Sequence, residues 1–274
     1  MVRHCLCLLA AALCGAQANA QTFTNKLPIP DTLTGKTFNL RLAPGEVQFQ
    51  PGPKTQTFGI NGQILGPTII VNKGDEVQMN VTNNIGEPTT IHWHGLHVAA
   101  KNDGGPHTMI ENGATWSPKF KIMDEAATYW YHPHLHHKTA EHVAKGLAAF
   151  LIVRDEHEAK LDLPRTYGKD DFPIAIQDKL FGPRNEIVTE PLGNKMVING
   201  VQYPYLQTPA QKVRLRLLNG SADRVYILAL SDGRTFHQIG SDGGLLEKPV
   251  AMNKLWLTPG ERAEVIVDFT GQEG

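Results

Sequence analysis

An all-β fold in two tandem sandwich- or barrel-like units is predicted by three features of the sequence. Short apolar or alternating segments of strand length recur along the chain, and Gly, Pro and Asn turn signals separate them. Only one short stretch, Thr139 to Lys145, carries a convincing helical pattern in the first half. Many short strands at such spacing indicate a Greek-key sandwich or barrel. At 274 residues the chain is long enough for one large or two ordinary domains.

In order along the chain, the first twenty residues stand apart. Arg3 and His4 form a charged start, Leu6 to Leu13 is mostly apolar, and Ala18-Asn19-Ala20 is a small-x-small cleavage site before Gln21. Residues 1–20 therefore read as a signal peptide, and the protein is expected to be exported, to the periplasm or outside the cell. The apolar run is well short of the ~18 to 20 residues that span a bilayer, so no membrane anchor is expected. The first strand series is TFNLRL, VQFQ, TQTFGI, PTIIV, EVQMNVT, TTIHWHG, ATWSPKFKI, TYWYH and AAFLIV, in a unit placed at residues 21–157. The charged, proline-bearing stretch after Arg154 reads as a linker, placed at residues 158–171. FPIAIQD, EIVTE, KMVING, KVRLRLLNG, VYILALS, TFHQIG, KLWLT and AEVIVDF form a second series at residues 172–274.

Composition excludes several classes of partner. Net charge is −1 and charged residues make up 19% of the chain, which points to neither nucleic acid nor an anionic membrane surface. All three cysteines, Cys5, Cys7 and Cys14, lie inside the signal segment. The exported chain is expected to form no disulfide and no thiolate metal site.

The histidines carry the chemistry. Nine of the twelve fall between His92 and His142, four of them as two His-x-His pairs, His92/His94 in IHWHG and His132/His134 in YHPHLH. Residues two apart on a strand share a face, so each pair can aim two imidazoles at one place while Trp93 points away. Pro133 cannot donate a ladder hydrogen bond, which puts the second pair at a strand end or an edge. Imidazole suits copper, zinc, iron and nickel, so ligand type alone leaves the metal open. HPHLHH superficially resembles the His-x-His-x-Asp-His pattern of zinc hydrolases, but the aspartate is missing and so is that fold's alternation of strand and helix. His97, His107, His136, His137 and His142 are expected not to be ligands, His157 and His237 to be surface or core residues, and Trp93, Trp116, Trp130 and Trp256 to be packing residues.

FGINGQILGPTIIVNKGDEVQMNVTNN, TTIHWHGLHV, NDGGP and YWYHPHLHHKTAEHVAKGLAAFLIV resemble successive blocks of the amino-terminal cupredoxin domain of multicopper oxidases. IAIQDKLF, VRLRLLNGSADRVYILALSDGRTFHQIGSDGGLL and LTPGERAEVIVDF extend the resemblance into a second domain, so that it covers roughly Phe38 to Phe269 and is most similar to the copper-efflux oxidase, bilirubin oxidase and laccase-like branch. The resemblance implies two tandem plastocyanin-like cupredoxin domains and a trinuclear copper cluster. By motif, His92 would ligate the type 2 copper, and His94, His132 and His134 the type 3 pair. Asp103, in NDGGP, matches a family acid that assists proton delivery; read without the family, Asn-Asp-Gly-Gly is ordinary turn chemistry. Dioxygen and an electron-donor substrate are the implied reactants, with cuprous ion first and phenols or bilirubin-like donors next.

Departures from the family pattern set the remaining expectations. The His-Cys-His block of the last family domain is missing, and with it the type 1 copper and the second half of the cluster ligands. The second domain is expected to be incomplete and a third cupredoxin domain to be needed to close the copper site. The alternative is a stand-alone exported protein that sequesters copper on an open half-site. Noncatalytic division or assembly relatives also exist, but these characteristically lose copper ligands, which argues against that role here.

Overall fold

The computed structural model describes residues 23–272. The signal-peptide reading and Cys5, Cys7 and Cys14 lie outside the described residues. TFNLRLAPGEV folds as a single strand, Thr37–Val47, whose alternate residues Phe38, Leu40 and Leu42 enter the core. The expected separate strand VQFQ does not form. The long strand instead changes partner at Leu42, pairing parallel with Glu76–Asn83 before it and antiparallel with Thr55–Ile60 after it. Pro44 therefore lies past the end of the parallel ladder, where a missing N–H leaves no partner unsatisfied. ATWSPKFKI likewise splits, into Thr115–Trp116 and Lys119–Lys121, both paired with Glu76–Asn83.

The second sheet of this unit runs, in spatial order, Thr32–Thr34, Thr68–Asn72, Ala149–Arg154, Ala127–His132 and His92–His94. Between the two sheets lies one core that includes Ile69, Val81, Trp93, Tyr129, Tyr131 and Leu151. The helix Thr139–Lys145 forms where its pattern predicts, ending at Gly146, whose N–H donates to the His142 and Val143 carbonyls.

A second core surrounds Phe172, Val213, Leu217, Leu257, Val265 and Val267. Its main sheet places Asp171–Phe181, Lys212–Asn219, Arg262–Asp268, Phe236–Ser241 and Gly244–Met252 side by side. The last of these, GLLEKPVAM, is absent from the sequence-based reading because Pro249 and its charges break any apolar alternation, as suits an edge strand. Trp256, expected to pack, is 63% exposed instead. Leu255 and Leu257 take the inward face of a two-stranded ribbon with Tyr226–Leu228, which turns Trp256 outward beside Ile227. Among the described residues no helix is long and apolar enough to cross a membrane.

Leu65, Trp130, Ala148 and Phe150 of the first unit meet Ala175 and Leu218 of the second in a small apolar cluster distinct from either core. Beside it sits a buried ionic network. On Lys212–Asn219, Val213 and Leu217 belong to the second core, while Arg214 and Arg216 point from the opposite face toward Ala127–His132. Arg216 grips Asp171 through two hydrogen bonds of 2.6 and 2.9 Å and donates to Glu264 at 2.8 Å. Arg214 pairs with Glu264 and with Glu158, the latter at 2.7 Å. Arg154 and Arg165 also reach Glu158, and Thr128 donates to Glu264 at 2.7 Å. The connection read as a charged linker is thus anchored at both ends, by Glu158 and Asp171, neither of which reaches solvent.

Candidate metal centre

Strand register assembles the site. His92–His94 pairs antiparallel with Ala127–His132 so that His92 faces His132, Trp93 faces Tyr131 and His94 faces Trp130. Alternation sends Trp93 and Tyr131 into the core and turns the histidines to the opposite face. Residues from two separate motifs therefore share one surface. The ligand atoms of His92, His94 and His132 all lie within 4.8 Å of one another. His134 follows the strand end beyond Pro133, as proline's missing donor predicts, and its backbone N–H donates to Thr90 Oγ1 at 2.6 Å. Its ring meets His92 edge-on, 5.3 Å between centroids, and lies 6.0 Å from that of His132.

Hydrogen bonds orient the rings. His92 Nδ1 lies 3.0 Å from the Asp103 carbonyl oxygen, which can only accept, so Nδ1 carries the proton and Nε2 keeps its lone pair. His132 Nδ1 donates in the same way to the Pro133 carbonyl at 2.7 Å. His94 Nδ1 sits 3.0 Å from His132 Nε2 and donates to it. A metal entering between His94 and His132 must displace that hydrogen bond, and moving the His94 proton to Nε2 frees the lone pair without any net protonation change. His94 is neutral at pH 7: burial first, then the Arg262 charge and the neighbouring imidazoles His92 and His134, lower its pKa to about 3. Burial likewise holds His132 well below the usual imidazole range, reinforced by His94 and His92. Neutral imidazole is the ligand form.

Asp103 ends the four-residue helix Ala100–Asp103, and Gly104 caps it in the left-handed region at φ +72°. A Cβ at residue 104 would fall 1.7 Å from the Ile91 carbonyl oxygen, so only glycine lets this turn lie against the histidine strand. Asp103 Oδ1 is placed 3.2 Å from His92 Nδ1 yet makes no hydrogen bond, because that N–H is directed to the Asp103 carbonyl. A buried acceptor is left free beside the histidines.

The other histidines divide by environment. His97 Nδ1 is bound to Asp124 at 2.6 Å, and His142 is fully buried between Phe58 and Thr89. His107, His136 and His137 are exposed.

Two parts of the site escaped the sequence-based reading. Trp130 stacks on His132, 3.9 Å between centroids, where a purely packing role was expected. The Thr258-Pro259-Gly260-Glu261 turn of the second unit forms a wall beside His94. Gly260 has φ +78°, and a Cβ there would stand 3.3 Å from His94 Cε1. Arg262 clamps this wall, donating to the carbonyls of Gly260, Asp242 and Thr128 at 2.9, 2.8 and 3.1 Å. Pro-Gly marked the turn in sequence, but nothing local says which histidine it touches. Gly260→Ala is expected to destabilise the protein by about 1 kcal/mol through its positive φ and to weaken metal binding several-fold by pressing on His94. Thermal unfolding and a metal titration of the same sample check both; unchanged affinity would show that the wall does not position His94.

Four imidazoles with no thiolate and one free carboxylate oxygen fit copper, which accepts imidazole in both common oxidation states. Comparison with known proteins agrees. A profile of the family described as multicopper oxidase matches residues 41–158. The cell division protein FtsP of Photorhabdus laumondii is 40% identical over 275 residues, covering 98% of this chain and 58% of that protein. The multicopper oxidase mco of Staphylococcus aureus is 40% identical over 259 residues, covering 92% of this chain and 58% of that protein. A laccase-like multicopper oxidase, CueO from Ochrobactrum sp., superposes with a TM-score of 0.86 at 37% identity, over 90% of this chain and 58% of that one. The chain thus spans 58% of the length of these curated relatives, and its all-β architecture is that of the cupredoxin-fold oxidases.

Proposed function

This chain belongs to the multicopper oxidase family, and on that premise we propose that it is the amino-terminal portion of a copper-dependent oxidase, supplying half the ligands of a trinuclear copper cluster. His92 is assigned to the type 2 copper and His94, His132 and His134 to the type 3 pair. The observation that carries the reading is the convergence of three imidazoles from two facing strands within 4.8 Å. When bound, copper supplies the redox chemistry, coupling one-electron oxidation of a donor to the four-electron, four-proton reduction of dioxygen to water.

The chain's own residues orient and protonate. The Asp103 carbonyl fixes His92 with Nε2 toward the site, and the Pro133 carbonyl does the same for His132. Asp103 Oδ1, unpartnered and next to His92, is placed to hold and pass a proton. Trp130 covers one face of His132, and the Gly260 turn lies against one side of His94.

In this reading residues 21–157 and 172–274 are two cupredoxin domains joined through 158–171, and a third closes the cluster and carries the type 1 copper. The donor is cuprous ion, or a phenol or bilirubin-like compound. Residues 1–20 direct export to the periplasm or the medium.

Relatives named as cell division proteins and as multicopper oxidases match at the same 40% identity. That match favours, as a second reading, a role in cell division without oxidase chemistry. The four histidines favour the oxidase. Reading the coding DNA past Gly274 tests the proposal: an in-frame His-Cys-His block is expected, whereas a stop codon in intact genomic context would overturn it in favour of a copper-sequestering protein.

A further inference from the structure

Outside the histidine site, one surface groove of about 380 Å³ collects soft metal donors that no part of the proposed function uses. His107 and Met109 line it from one loop and His136 from another, with Leu135, Glu87 and Lys138 around them. Both loops are held in place. The Thr108 N–H donates to the Gly105 carbonyl across a turn that holds His107, and a two-way backbone bridge between Ile110 and Thr89 fixes the residue next to Met109. On the other side the Lys138 N–H donates to the Leu135 carbonyl, closing a turn over His136 and His137, whose rings lie 3.8 Å apart.

Packing does not account for these side chains. Met109 is 57% exposed, and His107 and His136 are exposed as well. The groove's carboxylate is already engaged, since Glu87 pairs with Lys138 at 2.9 Å. Two imidazoles and a thioether remain, a set that disfavours hard cations such as calcium and magnesium and suits a soft monovalent ion. Thioether sulfur also discriminates against zinc, which prefers thiolate, imidazole and carboxylate.

We propose that His107, Met109 and His136 form a docking site for a soft monovalent metal ion, Cu(I) or its analogue Ag(I), at the edge of the four-histidine centre. Its walls are continuous in sequence with that centre: His107 follows Asp103 by four residues and His136 follows His134 by two. The direction of transfer, from groove to histidine centre, rests on the copper reading given above. The existence of the groove site does not.

The test uses the chain labelled at its methionine methyl carbons and titrated with Ag(I), the Met109 methyl resonance being assigned with Met109→Leu. A saturable shift of that resonance within two equivalents is expected. His107→Ala and His136→Ala should each weaken it at least roughly tenfold, the lower end of what losing even an outer-shell partner does to a metal site. A resonance that stays still through two equivalents, or a shift unaffected by both histidine variants, overturns the proposal. A parallel Cu(II) titration of the His94→Ala variant reports on the histidine centre alone, so failure there leaves the groove result standing.

Discussion

Replacing His132 with alanine is expected to lower Cu(II) affinity by more than roughly 100-fold, beyond the range seen when a metal site loses only an outer-shell partner. His132 lies at the centre of the cluster, opposite His92 in register and 3.0 Å from His94 through their ring nitrogens. It is 5% exposed, and its ring is pinned between the Pro133 carbonyl and the Trp130 face. The stacking offers the readout, because copper bound at His132 should quench Trp130 fluorescence. His97→Ala is the matching control. That ring is tied to Asp124 and 81% exposed, so copper affinity should not change. Equal loss in both variants would mean that copper binds by general histidine content rather than at this centre.

Removing the Glu264 carboxylate should destabilise the folded chain by about 3–5 kcal/mol, as expected when one partner of a buried ion pair is lost. Glu264 is fully buried and receives hydrogen bonds from Arg214, Arg216 and Thr128. Glu264→Ala leaves two buried guanidiniums short of a counter-charge in a network that already holds four arginines, Arg154, Arg165, Arg214 and Arg216, against three carboxylates. Because Thr128 and Arg154 come from the first unit and Arg214, Arg216 and Glu264 from the second, contact between the units should weaken as well. Denaturant unfolding measures the effect, and a loss under 1 kcal/mol would contradict it. The network also sets an acid limit. Burial alone would raise the carboxyls of Asp171 and Glu264, but the arginines outweigh it and hold both below their ordinary 3.8 and 4.5. Carboxyls depressed in the folded state contribute stability above their unfolded pKa and lose it as pH falls through the folded one. Unfolding free energy should therefore decline below about pH 4.5, and Glu264→Gln should flatten that decline.

The all-β architecture was legible because alternation and turn residues are local signals. So was the single helix at Thr139–Lys145, whose period and terminal glycine lie within a few residues of each other. His92 and His94 could be placed on one face because period two is enforced by the strand itself. What could not be read is which strands lie side by side. That His132 faces His92 depends on an antiparallel pairing between residues 40 apart in sequence, and that Gly260 touches His94 depends on a contact across the two units. Arg214 and Arg216 show the same limit. Their alternation with Val213, Leu215 and Leu217 marks two faces of a strand, and nothing in the strand says that the charged face is covered by the other unit. Trp256 is the converse case, a residue type that usually packs, turned outward by the two leucines beside it.

The most direct test of the copper assignment is electron paramagnetic resonance of the chain loaded with Cu(II) and desalted. Retained copper with nitrogen hyperfine structure from several coordinated imidazoles is predicted, lost when His94 and His132 are both replaced by alanine while the His97→Ala signal is unchanged. Copper that washes away from the wild-type chain, or a signal that survives the double replacement, would contradict the account.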